Sequence, residues 1–259
     1  MNYVREAWRN FRWNLKLNKI WKMTQFPAED LQMILGLYEK YSADLLKVKK
    51  QQQELFNNRT RVGLDPQLCD LEAEMTYLLI REYRPVTVLE ISPASGWSTS
   101  WILHALKDNN QGTLHSYDLV ESSIHVIPKW LSEGRWRFFQ GDVTKNMALL
   151  PSQVDYFFID SDHSAEFAHW YIDKLFPLYK KGIRISAHDI LKWAHEPGWG
   201  EESLVLCSWL AKKGTRCVTA SRAMKKKGYN AITAARQKLG LDALIQTANY
   251  NSMIFFTLS

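Results

Sequence analysis

The chain has 259 residues, of which 46% are hydrophobic, and its net charge is +6 at pH 7. This length predicts one α/β domain with an appendage, and no apolar run is long enough to predict a membrane span. The first residues, MNYVREAWRNFRW, lack the apolar stretch of a secretory signal. Three widely spaced cysteines, Cys69, Cys207 and Cys217, are typical of buried thiols in a cytoplasmic protein rather than of disulfides or a zinc site.

The positive charge is concentrated at the N-terminal end. Residues 1–60 contain 11 Lys and Arg against 6 Asp and Glu, whereas the rest of the chain contains 22 against 21. Apolar residues recur there at helical spacing, as at Val4, Trp8, Phe11 and Leu15. We therefore predict a basic amphipathic helical extension over residues 1–60, with a solvent-exposed stretch at Lys47–Gln53, and a main domain over residues 61–259.

The extension has two interpretations. It is either a helical cover packed on the domain, or a lid, a homo-oligomer contact or a basic helix that lies on a membrane surface. The near-neutral main domain argues against a nucleic-acid-binding function for the protein as a whole.

The stretch from Val86 to Leu106, VTVLEISPASGWSTSWILHAL, predicts a buried strand, a small-residue loop and a helix capped by Ser98 or Thr99. A strand, a tight loop and a helix present backbone N–H groups to a ligand at the carboxyl edge of an open α/β sheet. Glu90 stands inside the apolar strand, so its carboxylate must be paired or must bind something. The alternative is an ordinary βα unit with a small-residue turn.

Two further strands carry an acid near their carboxyl ends. The strand Thr113–Asp118 ends in Asp118, which we interpret as a ribose-binding carboxylate or as a helix cap. The strand Arg135–Gln140 is followed by Gly141 and Asp142, which also fit a plain turn.

The next two strands end in clusters of acids and imidazoles. They are predicted at Val154–Asp160 and Ile183–Asp189, and shorter strands at Arg216–Ser221 and Ser252–Leu258 complete the sheet. The carboxyl ends of parallel strands meet at one edge, which would gather Glu90, Asp118, Asp160, Asp162, His163, His188 and Asp189. Oxygen and imidazole ligands fit a divalent cation such as Mg²⁺ or Mn²⁺, although each histidine also fits a core or turn position and Asp160 a helix cap.

These motifs resemble those of the class I S-adenosylmethionine (SAM)-dependent methyltransferases. EISPASGWST is similar to the cofactor loop of the catechol-type and macrocin-type O-methyltransferases, with Ser92 in place of the usual first glycine. DYFFIDSDHS and LYKKGIRISAHDI are similar to later motifs of that group. The resemblance covers about residues 65–192. It implies a Rossmann-like α/β fold with a seven-stranded sheet of order 3-2-1-4-5-7-6, the last strand antiparallel, and helices on both faces.

The resemblance also implies a site. SAM would be bound by Glu90, Ser92, Ala94, Gly96, Trp97, Ser98, Asp118, Leu119, Gly141, Asp142 and Asp160, with Asp142 at the adenine end. A divalent metal, Mg²⁺ or Mn²⁺, would be held by Asp160, His188 and Asp189, where His188 replaces an acid or amide. Catalysis would use Asp160, His163 and His188, with a histidine as the base.

The implied reaction is O-methylation of a small hydroxylated acceptor, such as a sugar, a polyketide or a catechol-like molecule. A loop at Leu191–Glu202, LKWAHEPGWGEE, is predicted to wall the acceptor pocket. The first alternative is a non-catalytic methyltransferase-like module whose basic helices bind RNA, a membrane or a protein partner. The second is an NAD(P)-dependent oxidoreductase, against which the lack of GxGxxG and of a Tyr-x-x-x-Lys pair argues.

Overall fold

The computed structural model describes residues 28–191, 201–222, 226–246 and 252–259. Its elements are α1 (Ala28–Lys40), α2 (Ser42–Asn57), α3 (Arg59–Val62), α4 (Asp70–Tyr83), β1 (Thr87–Ile91), α5 (Trp97–Asp108), β2 (Thr113–Asp118), α6 (Ser122–Val126), α7 (Lys129–Ser132), β3 (Trp136–Gln140), β4 (Tyr156–Ile159), α8 (Ala165–Trp170), β5 (Arg184–Ala187), α9 (Glu201–Lys213), β6 (Cys217–Val218), α10 (Lys226–Lys238) and β7 (Ile254–Thr257).

The seven strands form one sheet of order β3-β2-β1-β4-β5-β7-β6. The pairs from β3 to β5 are parallel, and β7 lies antiparallel to both β5 and β6. This confirms the predicted fold class and strand order.

Side chains of the central strands alternate between two cores, because successive residues of a strand face opposite sides of the sheet. Val88 of β1 and Phe158 of β4 pack with α4 and α5 in one core. Leu89 and Phe157 pack in the other core, which includes residues of α8 and α9. Both faces are covered by helices, as a parallel sheet requires.

Helix α4 is buried over most of its length, and α1 and α2 pack against it. The expectation of a solvent-exposed stretch at Lys47–Gln53 was wrong at three residues: Val48, Lys49 and Gln52 are 1%, 7% and 0% exposed. The Lys49 ammonium binds Asp70 and Glu74 of α4, and Gln52 hydrogen-bonds Ser100 of α5. Residues 28–57 therefore contribute to the core.

Three local features complete the helical layers. The short helix α3 follows α2 directly. Helix α10 begins at Lys226. Helix α8 continues into a π-helical turn at Tyr171–Leu175 and a 3-10 turn at Phe176–Leu178.

Within the described ranges, no helix has the length and apolar character that crossing a membrane demands. The cysteines Cys69, Cys207 and Cys217 are buried free thiols.

Candidate active site

The loop after β1 has a strained backbone that shapes the carboxyl edge of the sheet. Ser92 and Ala94 have φ values of +61° and +47°, and Gly96 has a φ of +96° at the start of α5. A side chain other than glycine is disfavoured in this left-handed region. Ser92 is tied down by its hydroxyl, which donates to Ser161 Oγ at 2.8 Å, so it occupies the tight turn that the motif assigns to glycine.

Asp118 holds this loop from the neighbouring strand. Its Oδ2 accepts from Ala94 N at 2.8 Å, and its Oδ1 accepts from Val120 N at 3.2 Å. The carboxylate is 9% exposed and lines a cavity. One side chain therefore fixes the loop and faces the space beside it.

Glu90 lies beneath the loop. Its carboxylate is fully buried and accepts from the hydroxyls of Ser98, Thr99 and Ser116 at 2.5–2.9 Å. Burial raises the pKa of Glu90 to about 7, against the opposing effect of the three hydroxyls. The side chains of Glu90 and Ser98 thus join β1, β2 and α5 under the loop, and neither is among the residues lining the cavity.

The cavity at this edge has a volume of about 460 Å³, within the range of small-molecule sites. Five of the predicted cofactor residues line it, namely Ser92, Asp118, Leu119, Gly141 and Asp142. The other predicted cofactor residues, Glu90, Ala94, Gly96, Trp97, Ser98 and Asp160, are not among its lining residues. Trp97 is buried, and its indole N–H donates to Leu68 O at 3.1 Å.

The far wall of the cavity is aromatic. Phe167 and Trp170 of α8 line it and stack with ring centroids 5.3 Å apart. The buried Trp170 Nε1 has no hydrogen-bond partner among the described residues. Asp142, which follows β3, also lines the cavity. Its carboxylate accepts hydrogen bonds from the backbone N–H and the hydroxyl of Thr144. The cavity therefore has carboxylates and aromatic rings among its lining residues.

His163 forms a pair that the sequence did not reveal. Its Nδ1 lies 2.7 Å from Glu202 Oε2, and Tyr171 donates to Glu202 Oε1 at 3.1 Å. Burial disfavours the imidazolium, but the hydrogen bond and charge of Glu202 outweigh burial and raise the pKa of His163 above its ordinary value. The other ring nitrogen, Nε2, lies 4.0 Å from Asp189 Oδ2.

His188 lies between carboxylates from two parts of the chain. Its Nδ1 is 3.1 Å from Asp160 Oδ1, at an angle outside that of a hydrogen bond, and its Nε2 is 3.5 Å from Glu72 Oε2. Burial opposes the charged ring, but Asp160 and Glu72 prevail and raise the pKa of His188 well above its ordinary value.

The structure brings Asp160, His188 and Asp189 together, as predicted. It also places Glu72 beside His188 and Ser252 beside Asp189. Asp189 has a φ of +54°, and its Oδ1 accepts from Ser252 Oγ at 2.7 Å and lies 3.7 Å from His188 Nδ1. Among the residues that the structure covers, no three acidic, imidazole or thiol side chains are arranged to hold a metal ion.

The sequence reasoning missed Glu72, Glu202, Phe167 and Trp170. Glu72 and Glu202 lie in first turns of helices, where acids are common for capping reasons alone. The predicted acceptor loop, Leu191–Glu202, lies outside the described residues except at its ends.

Comparison with known proteins agrees with this geometry. Residues 89–190 match the family described as a methyltransferase domain. No match was found among curated proteins. Among solved structures, a putative caffeoyl-CoA O-methyltransferase from Staphylococcus aureus is similar, with 14% identity, a TM-score of 0.57 and coverage of 86% of this chain and 100% of that one.

Two ligand-bound structures are similar at the level of fold. An O-methyltransferase from Bacillus cereus in complex with S-adenosylhomocysteine (SAH) has 12% identity, a TM-score of 0.57 and coverage of 81% and 91%. The O-methyltransferase TomG from Streptomyces achromogenes, in complex with SAM, has 12% identity, a TM-score of 0.55 and coverage of 80% and 89%.

The strand order, the loop after β1 and these matches define a class I methyltransferase fold. Residues 89–190 are the part of the chain that the methyltransferase-domain family matches.

Proposed function

We propose that the protein transfers the methyl group of SAM to a hydroxyl oxygen of a small acceptor. The observation that carries this proposal is the position of the His163–Glu202 pair. His163 follows β4, which pairs with β1, and the loop after β1 shapes the cavity. A cofactor cavity and an oriented imidazole on adjacent segments are what transfer to a hydroxyl needs.

We assign SAM binding to the cavity. Bound SAM supplies a methyl group on a positive sulfonium, and transfer leaves neutral SAH. Asp118 would accept hydrogen bonds from the ribose hydroxyls, since a carboxylate has acceptor capacity beyond the two backbone N–H groups that it already binds. Phe167 and Trp170 would pack against the adenine, with Asp142 and Thr144 at its border.

We assign removal of the acceptor's hydroxyl proton to His163. When the acceptor hydroxyl forms its new bond to carbon, it must lose its proton, and Nε2 of His163 would take it while Nδ1–H donates to Glu202. Glu202 would fix the ring orientation and stabilise the imidazolium that forms. The raised pKa of His163 makes the ring a stronger base.

The predicted divalent metal was tested against the donor set. Both ring nitrogens of His188 lie within 3.5 Å of carboxylate oxygens, and Asp189 accepts from Ser252. These side chains do not fit a three-ligand metal site, so no step of the proposed reaction runs through a metal.

The test has two parts that need no knowledge of the acceptor. Calorimetry with SAM and SAH should show binding to the full chain, and absence of binding by folded protein would refute the proposal. Hydroxylated sugars, polyketides and catechols are then screened for SAH release, with His163→Gln as the inactive control.

A second candidate is a non-catalytic module that binds a partner through its basic N-terminal segment, where Lys and Arg exceed Asp and Glu by 11 to 6 over residues 1–60. Because Lys49 and Gln52 lie in the core, the deletion should remove only residues 1–27. If turnover survives this deletion while binding to the partner is lost, the segment serves interaction. If the full chain shows no turnover either, the non-catalytic module is favoured.

A further inference from the structure

A second cavity, here called the amino-edge cavity, lies where β4 and β5 begin, at the edge of the sheet opposite the proposed SAM site. Its volume is about 300 Å³, at the lower end of the range for small-molecule sites. The strand register places Tyr156, Arg184 and Thr257 side by side across its floor. Helix α1 and the end of α4 supply further lining residues, and none of the predicted SAM, metal or catalytic residues is among them.

Arg184 is a partly buried cation in this cavity. Its guanidinium lies 4.2 Å from the centroid of the Tyr83 ring and donates to Thr257 Oγ1. Among the described residues, no carboxylate pairs with Arg184, whereas Arg216 pairs with Glu29 at 3.8 Å. A guanidinium has five N–H donors, so donors remain for a further acceptor, and their planar fork matches a carboxylate.

The groups beside Arg184 also favour an anion. The hydroxyl of Tyr83 has the thioether of Met33 as its described partner, at 3.8 Å, and a thioether is a weak acceptor. Burial raises the pKa of Tyr83 against the opposing charge of Arg184, so the phenol keeps its proton and can donate. The charged lining residues are Arg184, Arg216 and Asp30, which leaves an excess of positive charge.

Apolar side chains cover much of the remaining wall, and an apolar ligand body gains free energy by leaving water there. An inorganic anion has no such body and would leave this wall uncovered. The apolar side chains are those of Met33, Ile34, Leu79, Val218 and Phe255.

We propose that the amino-edge cavity binds a small organic acid. The carboxylate lies on Arg184 and the hydroxyl of Tyr83, and the apolar body lies between α1 and the sheet. This site is separate from the SAM cavity, so the proposal does not rest on the proposed methyl transfer.

The first experiment titrates the full chain, labelled with ¹³C at the methionine methyl groups, with benzoate and hexanoate. Benzamide and hexanamide are the neutral controls. We expect at least one acid to move the Met33 signal, assigned by Met33→Leu, with a dissociation constant of about 1 mM or lower. Met147 does not line the cavity, and its signal should stay in place. No shift at Met33 with either acid, or an amide that binds as tightly as its acid, would overturn the proposal.

The second experiment removes the cation. Arg184→Gln should raise the dissociation constant by about tenfold or more, because a charged hydrogen-bond donor is lost. Arg137→Gln, at an exposed position of β3, should leave it unchanged. Tyr83→Phe keeps the ring against Arg184 and should weaken binding about threefold. Unchanged affinity in folded Arg184→Gln would refute the site, and the wild-type titration is decisive even if that variant does not fold.

The titrations are run with and without saturating SAH, and the same dissociation constant is expected in both. A constant that rises in proportion to SAH would place the acid in the SAM cavity and overturn the proposal. If SAH does not bind, the proposed function fails, while the Met33 signal still reports on the amino-edge cavity.

Discussion

The ammonium of Lys49 lies 2.8 Å from Glu74 Oε1, and the two side chains are 8% and 0% exposed. Lys49 Nζ also lies 3.0 Å from Asp70 Oδ2 and donates to the carbonyls of Leu241 and Ala243. This contact joins α2, α4 and the segment after α10. Arg236 completes the cluster by donating to both oxygens of Glu74.

Replacing Lys49 by Met should therefore destabilise the protein. The change leaves two buried acids with Arg236 as their remaining cation, and breaking one side of a buried ion pair typically costs about 3–5 kcal/mol. Urea unfolding of Lys49→Met should show a loss of about 3 kcal/mol. The control is Lys50→Met, an exposed neighbour, for which we expect a change within about 0.5 kcal/mol. Equal losses for the two variants would contradict the assignment.

Glu90 should make stability depend on pH. Its pKa in the folded protein is raised from 4.5 to about 7, so the folded state binds its proton more tightly than the unfolded state. The resulting stability is complete below about pH 4.5 and is lost as the pH rises through 7. Glu90→Gln removes this dependence.

Unfolding free energies at pH 4.5–8 test this. From pH 4.5 to pH 8, the unfolding free energy of the wild type should fall relative to that of Glu90→Gln by on the order of 3 kcal/mol. This follows from 1.36 kcal/mol for each pKa unit. Glu133→Gln, at an exposed position, should run parallel to the wild type. A Glu90→Gln curve that is also parallel would mean that Glu90 has the same pKa in the folded and unfolded states.

Ser92 should tolerate glycine better than alanine. Its φ of +61° costs an L-residue roughly 1–2 kcal/mol, while its hydrogen bond to Ser161 contributes about 1 kcal/mol. Ser92→Gly loses the bond and relieves the strain, and Ser92→Ala loses the bond alone. Thermal unfolding should therefore place Ser92→Gly at or above Ser92→Ala, and the reverse order would show that the strain is absent.

Asp118→Asn should weaken SAH binding. The amide NH₂ must face either Ala94 N–H or Val120 N–H, both of which are donors, and the charged acceptor for the ribose is gone. Hydrogen bonds to charged groups contribute about 1.5–3 kcal/mol, so the dissociation constant should rise by about 10- to 100-fold. Asp173→Asn, an exposed carboxylate, is the control in the same calorimetry; an unchanged affinity for Asp118→Asn would exclude the ribose role.

Glu202→Gln should lower the pKa of His163. The carboxylate favours the imidazolium by its charge and its hydrogen bond, and the neutral amide removes the charge. Titration of His163 by NMR measures this directly. The exposed neighbour Glu201 provides the control Glu201→Gln, which should leave the titration in place, and an unchanged pKa in Glu202→Gln would remove Glu202 from the dyad.

The sheet and its rim were predictable because the signals are local. The central strands β1 and β4 are largely apolar, and Asp118 and Asp160 stand at the ends of predicted strands. The parallel order then brings these ends to one edge whatever the loops do.

The paired groups were not predictable because their partners are distant in the sequence. Lys49 stands in a polar run typical of solvent exposure, and only the packing of α2 on α4 brings Asp70 and Glu74 to it. Glu72 reaches His188 across 116 positions of the chain, and no periodicity records that contact. The contacts of Glu202 and Glu72 follow from tertiary packing alone.

The position of β7 has a consequence for how the protein is made. Ile254–Thr257 lies between β5 and β6 and pairs with both, so β5 keeps an open edge on the ribosome until these residues emerge. Open edges of apolar strands invite pairing with other chains. Translation that stalls before residue 254 should therefore yield nascent chains that depend on chaperones to stay unaggregated.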